Sequence, residues 1–308
     1  MNTAPATGAA THAQAAEAAR QPGRPADFVT LTKPRLNLLV VFSTLAGLYL
    51  GAPDGVGLTL LLHTLVGTAL VAGGASALNQ AWERRTDGLM HRTRRRPLPE
   101  GRLTGRDATA FGILLSVLGL GELTLGVNTV AAATALITLL SYVVIYTPLK
   151  LRTWHSTLVG AFPGALPAVI GWAAATGTLS WGAAALFAIM FFWQMPHFFA
   201  LAWMYREDYA RAGMPLLPVI EPDGRSTGRH AWLYTGALVG VSATPAAAGL
   251  AGLPYLIVAG VLGVGLMVLS YQFRHALTQI SARRLFLATI IYLPILWVAL
   301  VVDRLWLP

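Results

Sequence analysis

The sequence contains no cysteine, which excludes disulfide bonds, thiolate metal sites, iron–sulfur clusters and a cysteine nucleophile. Charged residues are also scarce, at 11% of the 308 residues, whereas soluble domains carry about 25%. Hydrophobic residues make up 55% of the chain, and the mean hydropathy is +0.60. This composition excludes an ordinary soluble enzyme and predicts one integral membrane helix bundle.

Long apolar runs follow Lys33-Pro34-Arg35, and each is close to the ~20 residues that cross a bilayer as a helix. We therefore predict an all-α, polytopic bundle of about nine transmembrane helices. The predicted spans cover residues 36–52, 57–80, 108–126, 129–147, 156–176, 181–204, 231–251, 254–273 and 285–302. Residues 1–26 are rich in Ala, Thr, Gln and Pro and are predicted to be a disordered cytoplasmic tail, with residues 27–308 as one domain.

The net charge of +9 is unevenly distributed over the predicted connections. Four connections on one side, around Asp54, Asn128, Thr178 and Gly252, contain no Lys or Arg. The other side holds 21 of the 22 basic residues. The positive-inside rule makes that side cytoplasmic and predicts a multi-pass protein of the cell inner membrane with a cytoplasmic N-terminus. Nucleic acid is not expected as a partner, because the basic loops lack the interleaved aromatics that base stacking requires.

A first polar cluster lies where the second predicted span meets the cytoplasm. Asn79, Glu83 and Asp87 follow one another at four-residue steps, which places their oxygens along one helix face, about one turn apart. Such a ladder can hold Mg²⁺, which takes one or two carboxylates and completes its shell with waters and substrate phosphates. The alternative is that the carboxylates only pair with neighbouring arginines at a solvated helix end.

A second polar cluster lies at the cytoplasmic end of the sixth predicted span. Gln194 and His197 fall within the span, and Arg206, Glu207 and Asp208 follow it. Polar groups at membrane depth tend to face a cavity. Two acidic helix ends on one face therefore predict a clamp that holds a diphosphate through metal ions.

A third polar element ends the fourth predicted span. Tyr146 is followed there by Lys150 and Arg152, whose charges can neutralise a departing diphosphate. The alternative reading is that these two cations only set the topology of the span.

These motifs resemble those of the protohaem IX farnesyltransferases (haem O synthases), which are UbiA-type intramembrane prenyltransferases. The resemblance runs from about Leu31 to Leu307. It is carried by Asn-x₃-Glu-x₃-Asp with Arg-Thr-Arg-Arg-Arg-Pro-Leu, by Tyr-Thr-Pro-Leu-Lys, by Trp-Gln-Met-Pro-His-Phe and by Tyr-Arg-Glu-Asp-Tyr. It implies a UbiA-type fold, and transfer of the farnesyl group of farnesyl diphosphate to a vinyl group of haem b, giving haem O and diphosphate with Mg²⁺ as cofactor.

The same resemblance implies the site residues. Catalytic roles fall on Asn79, Glu83, Asp87, Tyr146 and Lys150. Substrate contacts fall on Arg92, Arg96, Arg152, His197, Arg206, Glu207 and Asp208. Metal ligands fall on Asn79, Glu83, Asp87 and Asp208. Glu83 stands where the family usually has aspartate, and Glu207-Asp208 stand where the superfamily has several aspartates.

Haem as a substrate raises the question of an axial ligand. His197 is the best candidate by depth, and His63, His91 and His155 are the others. For each, the alternative is a buried histidine held by hydrogen bonds. Glu122, within the third span, is expected to pair with a neighbouring helix.

The partners expected from this reading are the lipid bilayer, haem b, farnesyl diphosphate and a haem A synthase or an oxidase assembly partner. The first competing function is an aromatic prenyltransferase that acts on a quinone precursor, which has the same fold and metal motif. The second is a secondary transporter, whose bundle also binds substrate at mid-depth. The clustering of acids at cytoplasmic helix ends argues against transport.

Overall fold

The computed structural model describes residues 25–306, and this range folds into helices without a β-strand. Of the predicted tail, residues 1–24 lie outside the described residues, whereas Pro25 and Ala26 begin the first helix. The helices are α1 Pro25–Leu31, α2 Pro34–Gly51, α3 Leu58–Leu89, α4 Gly105–Gly126, α5 Thr129–Leu149, α6 Ser156–Thr176, α7 Trp181–Met204, α8 Arg206–Arg211, α9 Leu217–Ile220, α10 Arg225–Val241, α11 Thr244–Ala247, α12 Leu253–Ala276 and α13 Gln279–Trp306.

Eight helices within the described range are long and apolar enough to cross a membrane, namely α2 to α7, α12 and α13. The predicted span 231–251 is not one continuous helix. It is divided between α10, which has 17 residues, and α11, which has four. At the break between them, the Tyr255 hydroxyl donates to the Ser242 carbonyl at 2.8 Å, which satisfies a backbone group that lipid cannot. Arg304 at the end of α13 donates to the Gly249 carbonyl at 3.1 Å. The broken pair α10–α11 therefore reaches the end of the bundle at which α13 finishes, as the nine-span prediction requires.

Close packing of α2 against α6 depends on two glycines. A Cβ on Gly47 would lie 1.9 Å from the Ala168 carbonyl oxygen, and one on Gly171 would lie 1.9 Å from the Thr44 carbonyl oxygen. Only glycine allows these backbones to approach so closely, as is common between membrane helices. The contact joins α2 and α6, which both contribute to the site described below.

Helix α3 is longer than the span predicted for it. The prediction ended at residue 80, but the helix continues to Leu89 and contains 32 residues, a length of about 48 Å against a hydrocarbon core of about 30 Å. Glu83 and Asp87 therefore lie on the same continuous helix as Asn79. The four-residue spacing thus retains its predicted geometry, with all three side chains buried.

The opposite end of α3 is tied to α4 by a polar contact. His63 Nδ1 lies 2.7 Å from Glu122 Oε1. The expectation that Glu122 pairs with a neighbouring helix is confirmed. His63 is engaged there and lies far along α3 from Asp87, so it does not reach the polar cluster at the C-terminal end of α3.

Helix α5 contains one wide turn before its C-terminal end. Residues Ser141–Tyr146 form a π-helical segment, in which the Thr147 N–H bonds the Tyr142 carbonyl five residues back. The Thr147 hydroxyl donates to the same carbonyl at 2.8 Å. Wide turns of this kind contain one residue more than an α-helical turn, and they are frequent at functional sites. Tyr146 and Lys150 follow directly from this turn.

Candidate active site

The C-terminal ends of α3, α5 and α7 and the N-terminal ends of α2 and α6 surround a cavity of about 190 Å³. Seven of the side chains predicted to form the site line it, namely Asn79, Glu83, Asp87, Arg92, Arg96, Tyr146 and Lys150. The structure thus brings the first and third polar clusters of the sequence to one place. Apolar side chains complete the wall, among them Leu36, Phe198 and Leu201.

The amide of Asn79 is held between two helices. Its Nδ2 donates to the Thr147 hydroxyl at 3.1 Å, and its Oδ1 accepts from the Lys33 ammonium at 2.9 Å. The Thr147 hydroxyl donates its proton to the Tyr142 carbonyl, so its oxygen must accept from Asn79. This fixes the orientation of the Asn79 amide. Burial lowers the pKa of Lys33 to about 7, with the Arg96 charge acting in the same direction.

The carboxylate of Glu83 pairs with Lys150 across the cavity. Lys150 Nζ lies 2.7 Å from Glu83 Oε1 and 4.5 Å from the centroid of the Tyr146 ring. Burial alone would lower the pKa of Lys150, but Tyr146 and Glu83 beside it raise that pKa well above the ordinary lysine value. The ammonium is therefore held charged in the cavity. Gly160 of α6 leaves room for the ring, since a Cβ there would lie 2.4 Å from Tyr146.

The carboxylate of Asp87 pairs with Arg96 of the following loop. Arg96 Nη1 lies 2.8 Å from Asp87 Oδ2, and the Thr93 hydroxyl donates to the Asp87 carbonyl at 2.8 Å. Asp87 is only 1% exposed. The prediction of arginine pairing is therefore confirmed for this residue, whereas the prediction of a solvated helix end is wrong, because the loop closes over it.

Positive charge is in excess among the described residues that line the cavity. The basic groups are Lys33, Arg92, Arg96 and Lys150, against the carboxylates of Glu83 and Asp87. An excess of cations on the cavity wall is suited to a polyanion such as a diphosphate, which accepts charge-assisted hydrogen bonds. The apolar wall beside these cations is suited to a hydrocarbon chain attached to that anion.

The remaining predicted residues do not line this cavity. Arg152 and Glu207 are exposed at the surface. The guanidinium of Arg206 lies 4.4 Å from the Trp203 ring and donates to the Trp203 carbonyl at 3.2 Å. These three residues are placed outside the cluster by the structure, and their substrate contacts stay predictions.

Asp208 holds the loop that covers the cavity. Its carboxylate accepts from the backbone N–H groups of His91 at 3.2 Å and Arg92 at 3.3 Å and pairs with Arg211. Burial alone would raise the pKa of Asp208, but the His91 N–H and the Arg211 guanidinium hold it below the ordinary value. The carboxylate thus positions the backbone of Arg92. Its role as a metal ligand stays a prediction.

His197 lies on another face of α7, against α13. Its Nδ1 is 2.9 Å from the Thr289 hydroxyl, which donates its own proton to the Phe286 carbonyl at 2.6 Å. The histidine must therefore donate from Nδ1, which leaves Nε2 with a free lone pair. The ring packs against Trp193 and Phe286 at centroid distances of 5.3 and 4.6 Å.

The sequence patterns did not identify two residues that line the cavity, Lys33 and Tyr209, or Thr147, which accepts from Asn79. Lys33 was counted only as a charge preceding the first span, Thr147 was not singled out, and Tyr209 was noted only beside the acidic pair. Burial raises the pKa of Tyr209. The one signal available was that Lys33, like the ladder of Asn79, Glu83 and Asp87, lies near a helix end.

The donor set fits a hard cation only when the amide of Asn79 is included. Within residues 25–306, no three His, Cys, Asp or Glu side chains converge on one point. One amide oxygen and two carboxylates on one face of α3 do line the cavity. Oxygen ligands in this number, with room for waters and phosphate oxygens, match the preference of Mg²⁺.

Comparisons with known proteins agree with this geometry. Residues 40–300 match the UbiA prenyltransferase family. A protohaem IX farnesyltransferase of Solibacter usitatus is 48% identical over 289 residues, which cover 90% of this chain and 98% of that protein. The structure of a digeranylgeranylglyceryl phosphate synthase aligns with a TM-score of 0.75 at 18% identity, over 91% of this chain and 98% of that one. A UbiA homologue from Archaeoglobus fulgidus bound to GPP and Mg²⁺ aligns with a TM-score of 0.63 at 16% identity, over 89% and 99%.

Proposed function

The chain belongs to the UbiA prenyltransferase family, and on that premise we propose that it transfers the farnesyl group of farnesyl diphosphate to a vinyl group of haem b, giving haem O and diphosphate. The substrate pair comes from the name of its relative at 48% identity. The observation that carries the proposal is the cavity itself, in which four basic groups and two carboxylates stand beside an apolar wall. An anion with a hydrocarbon tail is the ligand that such a cavity is built to hold.

Asn79, Glu83 and Asp87 would hold a divalent cation, which we take to be Mg²⁺. When bound, the metal would add positive charge at the diphosphate oxygens. Asp208 would contribute indirectly, because it holds the backbone of His91 and Arg92. Arg92 would thereby be fixed at the cavity wall with its guanidinium 5.2 Å from the Tyr205 ring.

The basic residues would stabilise the leaving group. As the allylic C1–O bond breaks, its electron pair passes to a diphosphate oxygen, where Lys150, Arg92 and Arg96 neutralise the growing charge. The vinyl π electrons of haem b then form the new bond to C1. Water adds to the resulting side-chain cation and loses a proton, which yields the hydroxyethylfarnesyl group.

The apolar wall would keep water from the first cation. Phe198 and Leu201 of α7 line the cavity next to the charged groups. Excluding solvent there prevents premature capture of the farnesyl cation and strengthens the electrostatic contacts. The apolar wall of the cavity would also direct the farnesyl chain away from the charged groups and toward lipid.

His197 is the proposed axial ligand of the haem. A neutral imidazole that donates from Nδ1 and leaves Nε2 free is the form that binds metal, and the outer partner of such a ligand is typically a fixed acceptor. Thr289 is that acceptor. The rings of Trp193 and Phe286, which pack against the imidazole, would hold its orientation.

His197→Ala is expected to weaken haem binding by about tenfold or more, since loss of even an outer-shell partner costs about 10–100-fold. The measurement is titration of the Soret band in purified protein, with farnesyl diphosphate binding measured in parallel and expected to be unchanged. The matched control is His155→Ala, which removes an exposed cytoplasmic histidine. An intact haem spectrum with lost diphosphate affinity would instead assign His197 to the diphosphate site.

The experiment that tests the function uses membranes that contain the chain, haem b, farnesyl diphosphate and Mg²⁺. Haem O, identified by mass, is the expected product. A prenylated aromatic product from a quinone precursor, with no haem O, would support the aromatic prenyltransferase in its place. Uptake of a substrate without any new covalent product would support transport. The haem A synthase or oxidase assembly partner that would receive the product stays a prediction.

We also propose that the site lies at the cytoplasmic side of the cell membrane. The chain has no cysteine, so a single introduced cysteine is the only thiol in the protein that a maleimide can label. Arg95→Cys in the loop after α3 and Asp54→Cys in the turn after α2, both at exposed positions, are expected to react with an impermeant maleimide from opposite sides. Thr178→Cys should behave like Asp54→Cys. Labelling of Arg95→Cys and Asp54→Cys from the same side would contradict the topology.

A further inference from the structure

Lys33 lies at an unusual point of the backbone. It joins α1 to α2 with φ 49° and ψ 61°, a left-handed conformation that is unfavourable for a residue with a side chain. Among the described residues other than glycine, only Lys33 and Leu277 adopt a positive φ. The strained turn places the Lys33 ammonium at the cavity, 2.9 Å from Asn79 Oδ1.

Each side chain proposed as a metal ligand has one of its oxygens bonded to a cationic side chain. Lys150 forms an ion pair with Glu83, and Arg96 forms one with Asp87. Lys33 donates a hydrogen bond to Asn79. Asn79 cannot avoid this by turning its amide, because Thr147 fixes the nitrogen on the other side. On the one oxygen that Asn79 offers, an ammonium and a divalent cation would lie close together and repel each other.

We propose that Lys33 exchanges partners during binding: it covers Asn79 Oδ1 in the metal-free site, and it binds a diphosphate oxygen once the metal holds Asn79. This inference rests on the proposed function, since the diphosphate is that of the prenyl donor. A displaced ammonium at the cavity wall has an anion as its natural new partner. Lys33 thereby competes for Asn79 with a metal ion that arrives without diphosphate, and it binds the diphosphate when that is present.

The two roles predict effects of opposite sign in one variant. Lys33→Met keeps the length of the side chain but removes its charge. Mn²⁺ added alone should bind more tightly, by about threefold or more, because one opposing charge near the site is gone. Pyrophosphate with Mg²⁺ should bind about tenfold or more weakly, because a charged hydrogen-bond donor is lost. A purely structural residue would weaken both.

Electron paramagnetic resonance measures Mn²⁺ binding, and calorimetry measures Mg²⁺–pyrophosphate binding, both on the full chain in lipid nanodiscs. Lys33→Arg should restore the pyrophosphate affinity to within about threefold, since a guanidinium also binds phosphate oxygens. The control is Arg35→Gln, an exposed cation two residues away, for which both affinities should stay unchanged. Unchanged pyrophosphate affinity in Lys33→Met, or Mn²⁺ binding that is unchanged or weaker, would overturn the proposal.

A measurement on the wild-type chain covers the case in which Lys33→Met does not fold. Lys33 and Lys150 are the two lysines of the sequence, so amine acetylation followed by peptide mass analysis reads each separately. Mn²⁺ alone should increase the reactivity of Lys33, and Mg²⁺–pyrophosphate should protect it. Protection by neither, or by Mn²⁺ alone, would refute the exchange. Haem O formation is read independently, so failure of the proposed reaction is distinguished from failure of this inference.

Discussion

Asp87→Asn is expected to lower the turnover number by about 10²–10³-fold, the scale for loss of one preorganised electrostatic contact. The substitution keeps the shape of the side chain but removes the charge that the metal would bind. Asn suits this test better than Ala, because Asp87 is buried against Arg96 and complete truncation would leave that guanidinium without a partner.

Haem O formation at saturating Mg²⁺ is the measurement for Asp87→Asn, together with a thermal unfolding curve of the same preparation. The matched control is Asp223→Asn, which removes an exposed carboxylate that pairs with Arg225 at the surface. Retention of more than half of the wild-type turnover by Asp87→Asn would rule out a metal-ligand role. A loss of equal size in Asp223→Asn would point to a general charge effect.

Lys150→Met is expected to lower turnover by about 10²-fold or more, because it removes a cation from the leaving diphosphate. It should also destabilise the fold, by up to about 3–5 kcal/mol, because Glu83 is left as a buried charge without its partner. The two effects have different origins. The first concerns the substrate, and the second concerns the 2.7 Å ion pair with Glu83.

The double variant Glu83→Gln/Lys150→Met separates these origins. Replacing both members of a buried ion pair with neutral groups removes the penalty of the unpaired charge, so thermal stability should return toward the wild-type value. Turnover should stay low, because neither the metal ligand nor the cation is restored. Recovery of both stability and turnover would mean that Lys150 acts only through the fold.

The spacing of Asn79, Glu83 and Asp87 was readable from the sequence because helix periodicity is a local property. The end of α3 was not readable in the same way. Hydropathy falls after residue 80, so the predicted span stopped there, yet the helix continues to Leu89. What allows Glu83 and Asp87 to be buried is pairing with Lys150 and Arg96. The Lys150 partner in particular comes from a distant part of the chain, and a local hydropathy pattern does not reveal such contacts.

The roles of Asp208 and Lys33 illustrate the same limit. An acidic residue after a span predicted a metal ligand, but Asp208 accepts from the backbone of a loop that lies more than 100 positions earlier. A lysine before the first span predicted only topology, but its ammonium reaches the cavity through the left-handed turn at Lys33. Both outcomes depend on tertiary contacts between segments distant in the chain.

The wide turn at Ser141–Tyr146 makes the site sensitive to chain length. Deleting one residue within it would restore α-helical hydrogen bonding and rotate everything beyond by about 100°. Thr147 would leave Asn79, and Lys150 would leave Glu83, while every side chain kept its identity. During divergence of such a gene, single-codon deletions in this segment should therefore be selected against more strongly than most of its substitutions.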